Sequence, residues 1–422
     1  MILLIRRLPI IILVIETILL LPCMANSREI TLGGSVSVRQ DYDSNYFRTK
    51  EDPESVWTTV LSPGVDISVV GIKDSYILHY TPEYSINQRT DEYEIDHRLL
   101  FTAQRQFTSG LSGSVNETFT RSNQLDNESA ALLSDRRGRS RFWINSADVS
   151  ANYSYGNGSF LGLGYANQIF DEEEEDDNDY EKHTPSASIR QQLTRNWGAR
   201  LGYSFIRGDF EQSVDLSSHQ SNVTVDYRTS DTALYYMQYS YAKADYEEEL
   251  DDYSTQNITV GLEYELGKGT NVNVSGGRYF LTKDLTSDAQ GYSYALDCAK
   301  TFPNGSLSLR GRGGMDELQF NGEADGLSKF WEMNLAFTYS LIRNLSVGMN
   351  SFFRNDRLLD QDSDRNEDSF GAGLSFNYSF QKWYSVRLGY NYRQLDAEVV
   401  DDSYEDHAVV LGITGKYDIW HW

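Results

Sequence analysis

The sequence predicts an all-β fold, a transmembrane antiparallel up-and-down β-barrel of about 20 strands, with roughly 18 also compatible. Three observations carry that expectation. Side-chain polarity alternates with a period of two over long stretches, the signature of strands whose two faces meet different surroundings. The alternating runs last about 12 to 15 residues, against the roughly five to six usual in soluble sheets. They are joined by short turns and long acidic connections in approximate alternation. Outer-membrane barrels have that asymmetry, with short periplasmic turns and longer extracellular loops.

The clearest unit is SFGAGLSFNYSFQKWYSVRLGYNYRQLD, Ser369 to Asp396. Phe370, Ala372, Leu374, Phe376, Tyr378 and Phe380 hold one phase, and Gly371, Gly373, Ser375, Asn377, Ser379 and Gln381 the other. After a tight turn near Lys382 the pattern resumes: Tyr384, Val386, Leu388, Tyr390 and Tyr392 against Ser385, Arg387, Gly389, Asn391 and Arg393. The apolar face of a soluble sheet packs into a core with few tyrosines. Here that face is rich in Tyr and Phe while the other is small and polar, so the hairpin reads apolar-out and polar-in.

Composition fits this class. The 422 residues carry a net charge of -25, with 13% aromatic residues, 29 Tyr and 32 Gly but only 7 Pro and 2 Cys. A mean hydropathy of -0.51 argues against helical spans only, because alternating strands average out in a hydropathy window. After residue 22 no apolar run approaches the roughly 20 residues that a spanning helix needs. The acidic balance argues against nucleic acid as a partner, since a phosphate backbone calls for a basic surface. With Cys23 in the leader, Cys298 stands alone on an apolar strand face, where a small hydrophobe suffices.

Residues 1–25 read as a cleaved signal peptide: Arg6 and Arg7, an apolar core from Leu8 to Leu21, then CMAN, with cleavage after Ala25. Residues 26–422 form one barrel domain. Short connections are expected at GIKDS after Val70, TSG after Phe107, Gly156 to Gly158, TRNW near Asn196 and TSDT near Asp231. Others fall at Gly267 to Thr270, Pro303 to Gly305 and Ile342 to Asn344. Their Gly, Asn and Asp content suits hairpin turns. Long connections are expected at Asp43 to Glu54, Asn123 to Arg139, Asp171 to His183, Glu247 to Tyr253, Asp360 to Glu367 and Asp396 to Asp406. In the last strand Leu411, Ile413, Tyr417 and Ile419 share a phase. The final Trp422 resembles the terminal aromatic that bacterial barrels present to their assembly machinery, but it is out of phase with those four.

The first third carries SPGVDIS from Ser62, then Tyr76-Ile77-Leu78-His79-Tyr80-Thr81-Pro82-Glu83-Tyr84, then Asp96-His97-Arg98-Leu99. Upstream lies Asp41-Tyr42-Asp43-Ser44-Asn45. In content and order these segments resemble the outer-membrane β-barrel porins found with exopolysaccharide and PEP-CTERM gene systems in Gram-negative bacteria. The resemblance covers residues 36–110 by motif and the remainder by alternation. It implies an outer-membrane location and passage of polysaccharide or solute, without defining functional residues to carry over.

The polar phase holds the candidate site. Arg190, Arg200, Arg228, Arg310, Arg312, Arg387 and Arg393 stand there with Asp148, Asp226, Glu263, Asp297, Asp316 and Glu332. Both signs on a small polar wall describe a wet lumen, because isolated charges in a dry interior are costly. Such arginines either pair with the carboxylates and stiffen the wall, or favour anionic or sugar substrates.

Other chemistry is sparse. None of His79, His97, His183, His219, His407 and His421 has zinc-enzyme spacing, so no catalytic residue, metal site or cofactor is expected. His97, on the apolar face beside Tyr93 and Ile95, reads as an interfacial histidine, with a lipid hydrolase as the alternative. The acidic run Asp171 to Asp177 reads as a solvated loop, one able to bridge to lipopolysaccharide phosphates through Ca²⁺ or Mg²⁺. Asp360-x-Asp362-x-Asp364 opens like a calcium loop, but Arg365 and Gly371 stand where such a loop needs Gly and Glu. The functional expectation is a porin-like channel contacting outer-membrane lipid and lipopolysaccharide and passing polysaccharide or a small polar solute. A barrel lipid hydrolase, or an adhesin or receptor acting through its loops, is the alternative.

Overall fold

The computed structural model describes residues 28–89, 93–122, 141–172, 179–211, 214–247, 252–284, 288–317, 327–359, 366–398 and 403–421. The leader, residue 422, the connection 123–140 and the acidic positions 173–177 and 360–365 lie outside the described residues.

Twenty strands follow in order. The first ten are β1 (Glu29–Asp43), β2 (Val56–Val70), β3 (Asp74–Asn87), β4 (Tyr93–Gln106), β5 (Leu111–Ser122), β6 (Phe142–Gly156), β7 (Ser159–Glu172), β8 (Tyr180–Gln192), β9 (Trp197–Phe210) and β10 (Leu216–Ser230). Then come β11 (Ala233–Tyr246), β12 (Tyr253–Glu265), β13 (Thr270–Lys283), β14 (Ala289–Phe302), β15 (Gly305–Glu317), β16 (Leu327–Ile342), β17 (Leu345–Leu358), β18 (Asn366–Phe380), β19 (Tyr384–Ala397) and β20 (Tyr404–His421). Each pairs antiparallel with its neighbours in the chain, and β1 pairs with β20, closing the sheet. Closure leaves no edge of unpaired N–H and C=O groups, which is the condition for a sheet to span lipid. Odd-numbered strands run from the short-turn end to the long-loop end, and even-numbered strands return.

Directly opposed residues share a face, so the register assigns inside and outside. One rung runs Val386–Ile413–Val38–Leu61–Tyr84 through β19, β20, β1, β2 and β3, all apolar or aromatic. The adjacent rung runs Ser385–Thr414–Ser37–Ser62, all hydroxyls. The apolar phase is exposed around the whole circumference, for example at Leu163, Leu201, Met237, Val260, Met333 and Leu388. An apolar surface this extensive is not tolerated by a soluble monomer; it matches a bilayer, with tyrosines at the edges of the band. Cys298 lies in this phase between Val272 and Leu309.

Turn chemistry explains the hairpin ends. The short turns contain two to four residues. Gly158, Gly267 and Gly269 adopt φ of 73°, 74° and 73°, a region that costs glycine nothing and strains other residues. Glycine also serves within strands. Tyr236 lies over Gly261, Tyr279 over Gly291 and Phe352 over Gly371, each across a single rung, and a Cβ at any of these glycines would overlap the ring.

The structure departs from simple alternation in four places. The inner phase is not polar throughout. Near the loop ends Phe142, Phe170, Tyr180, Leu216, Tyr253 and Leu281 form a buried cluster. Stacked rings link Phe142 to Phe170 at 5.8 Å and Phe170 to Tyr180 at 5.5 Å, and Phe210 meets Tyr180 at a tilt at 5.8 Å. Rungs such as Phe170–Tyr180 also extend pairing past the expected boundary. The connection expected from Asp171 to His183 therefore narrows to residues between Glu172 and Tyr180.

At the end of β20 a bulge shifts the register: Gly33 opposes Asp418 but Leu32 opposes Trp420. The extra residue moves even-numbered positions to the outer phase, and Trp420 is exposed there. Trp422, the residue expected out of phase, lies outside the described residues. The fourth departure lies between β2 and β3, where the ladder opens. Leu61 opposes Tyr84 and Val65 opposes Tyr80, with no rungs between. The gap contains Pro63 and Pro82, neither of which has an N–H to donate.

Candidate functional site

The candidate site is the charged inner wall, which the alternation assembles from residues distant in sequence. All thirteen charged residues singled out above occupy the phase opposite the exposed hydrophobic face, as their rungs show. A cavity of about 970 Å³ opens on this wall, lined by Arg228, Glu263, Asp297, Arg310, Arg312 and Arg354 among others. That is room for a small organic solute or several sugar rings.

On β14 to β17 the charges neutralise one another. Arg310 donates to Asp297 at 2.7 Å, and Arg312 donates to Glu332 at 2.5 and 3.2 Å. Arg354, which the sequence reading did not single out, is the hub. It donates to Asp356 at 2.8 Å, Glu332 at 3.3 Å and Asp316 at 3.3 Å. Its guanidinium lies 4.5 Å from the centroid of Phe330, and that of Arg312 lies 5.3 Å from the same ring. Burial separates the roles. The Arg354 side chain is 13% exposed and that of Glu332 10%, so they stiffen the wall. The Arg310 side chain is 66% exposed, leaving its pair with Asp297 weak and open to a solute.

The remaining charges lie apart. Arg190 on β8 donates to Asp226 on β10 at 3.0 Å. Arg200 on β9 has its guanidinium 5.5 Å from the Phe160 ring centroid. Arg228 follows at the short-turn end of β10. Arg393 opposes Asp406, Arg387 opposes Asn377 and Gly412, Asp148 opposes Asn116 and Ala166, and Glu263 opposes Leu234 and Asn273. Another inner network, also not anticipated, joins Arg39 to Glu83 at 2.9 Å and to Asp41 at 2.8 Å. Glu83 opposes Asp96, which accepts from Ser122 at 2.8 Å. Several residues behind the porin resemblance thus meet beside the gap between β2 and β3.

The outer face carries a repeated device. Tyr80 is hydrogen-bonded to His97 at 3.0 Å, Tyr165 to His183 at 2.7 Å, Tyr203 to His219 at 2.7 Å and Tyr390 to His407 at 2.8 Å. In each case the tyrosine is on a strand rising toward the loops. The histidine is on the next strand, two rungs nearer the loops and so on the same face. The Tyr to His spacing of 16 to 18 residues was legible in the sequence only once the register was known. No group of three or more metal-ligating side chains occurs among the described residues.

No family model matches the chain, and no curated protein matches it. Among solved structures it is similar to OccK2 (OpdF) of Pseudomonas aeruginosa, with 10% identity and a TM-score of 0.46 over 93% of this chain and 98% of that one. It is similar to the siderophore receptor PirA of Acinetobacter baumannii, with 9% identity and a TM-score of 0.49 over 91% of this chain and 80% of that one. The third is Pseudomonas aeruginosa OpdO, with 11% identity and a TM-score of 0.42 over 92% of this chain and 98% of that one.

Proposed function

We propose that this chain is an outer-membrane channel of a Gram-negative bacterium that passes a polar solute and takes part in exopolysaccharide export. One observation carries the reading. A single closed sheet of 20 strands presents an apolar, tyrosine-edged face outward and a charged wall with a cavity inward. Charges on a dry wall would be costly, and barrels of about 16 to 18 strands already enclose water. The resemblance of residues 36–110 to exopolysaccharide-associated porins supports a polysaccharide as the solute. In this reading lipid and lipopolysaccharide contact the outer face, and the barrel assembly machinery inserts the chain after its leader is removed.

Conductance in planar bilayers tests the channel, and polysaccharide secretion by cells lacking the protein tests its service. Discrete conductance steps together with reduced secretion are expected. A purified barrel without channel events, from cells whose deletion strain secretes normally, would sink the proposal. The lipid-hydrolase alternative has less support, because His97 is hydrogen-bonded to Tyr80 in the manner of three other histidines.

A further inference from the structure

We infer that Arg190, Arg200 and Arg228 form an anion-recognition site just inside the short-turn mouth, built for the carboxylates of an acidic sugar chain arriving from that side. The inference rests on the channel reading and names its substrate class and direction of approach. Its starting point is a mismatch in the wall. Arg190 and Arg200 oppose each other directly across the rung between β8 and β9, and like charges so placed repel. The only acid engaging the trio among the described residues is Asp226, which holds Arg190 at 3.0 Å. Arg200 and Arg228 form no ion pair among the described residues, and Arg200 rests on Phe160.

The wall on β14 to β17 shows what stiffening looks like: there every arginine has a carboxylate. At the short-turn end of β8 to β10 two of the three guanidiniums, those of Arg200 and Arg228, have no carboxylate among the described residues, beside small or polar neighbours such as Ser188, Gly202 and Asn222. A planar guanidinium is suited to grasping a carboxylate.

The chain's charge distribution supplies the direction. Although the net charge is -25, the acidic runs of the sequence lie between strands at the loop end. The nine short turns carry five cations, Lys73, Arg195, Lys268, Arg343 and Lys382, against one acid, Asp231. A polyanion is therefore drawn to the short-turn mouth and repelled at the other, and fixed charge in a low-dielectric tube focuses that field.

The test is single-channel recording with oligogalacturonate as the acidic chain and a neutral malto-oligosaccharide as control. The short-turn side is identified by an impermeant maleimide acting on Asn157→Cys in a Cys298→Ala background. Blockades by oligogalacturonate from the short-turn side are expected to last about tenfold longer than from the loop side, the worth of one charge-assisted contact. Arg200→Gln, which orphans no acid, should remove most of that difference. Equal dwell times from both sides, or an unchanged dwell in Arg200→Gln, would overturn the site while leaving the channel intact. If the wild type conducts nothing, the channel reading fails. Calorimetry of oligogalacturonate on the detergent-solubilised barrel still decides the site: binding lost in Arg200→Gln supports it, and no binding to the wild type overturns it.

Discussion

At the scale of single residues, burial decides what a charge does. Arg354 is enclosed by Asp316, Glu332 and Asp356, with Asp356 and Glu332 themselves nearly buried. Replacing it with Met strands these carboxylates, and a loss of about 3 kcal/mol is expected in urea unfolding of the detergent-folded barrel. Arg310→Ala should leave that midpoint unchanged within about 0.5 kcal/mol, because its pair with Asp297 is already open to water. The alternation in the sequence placed Arg310 and Arg312 in the polar phase without ambiguity. It could not place Arg354, because Phe352 and Phe353 before it put aromatics in both phases. The inner cluster was hidden for the same reason: Phe142 adjoins Trp143 and Phe170 adjoins Ile169, so neither face looked polar. A periodicity argument fails where both faces are apolar. His97 illustrates the converse. Its outward phase was legible, but its hydrogen-bond partner needed the register. Tyr80→Phe is expected to cost about 1 kcal/mol of barrel stability and to leave any phospholipase readout at the level of buffer.

At the scale of elements, hairpin ends were the most legible feature. Gly-, Asn- and Asp-rich turns marked the eight expected short connections and Lys382 a ninth, and all of them join consecutive strands. Long connections were harder, since no local rule says where a strand entering solvent stops pairing; β7 and β8 continue to Glu172 and from Tyr180. Within the sheet, the glycines under rings make a sharper claim. Gly371→Ala would force Phe352 off its seat across β17 and β18. A loss of about 1 to 3 kcal/mol is expected, visible as a lower temperature at which the heat-modifiable band converts on a gel. An unchanged conversion temperature would show that the ring has room to move.

At the scale of the whole molecule, the closing seam between β1 and β20 makes a barrel of a sheet. Ser37 and Thr414 meet there, with their hydroxyl oxygens 3.2 Å apart. The double variant Ser37→Cys, Thr414→Cys on a Cys298→Ala background is expected to form an intrachain disulfide under mild oxidation. The test is a gel-mobility shift reversed by reductant, and its absence would argue that the first and last strands are not neighbours. The seam that should matter in time, however, is the opposed prolines Pro63 and Pro82. A wall held by regular backbone bonds releases its amide protons slowly; at this interruption the bonding is missing. Deuterium should therefore enter first at Leu61, Val65, Tyr80 and Tyr84, the rungs that border the gap, before Ile67 and Leu78 farther along the same ladder, making this notch the earliest breathing point of the cylinder.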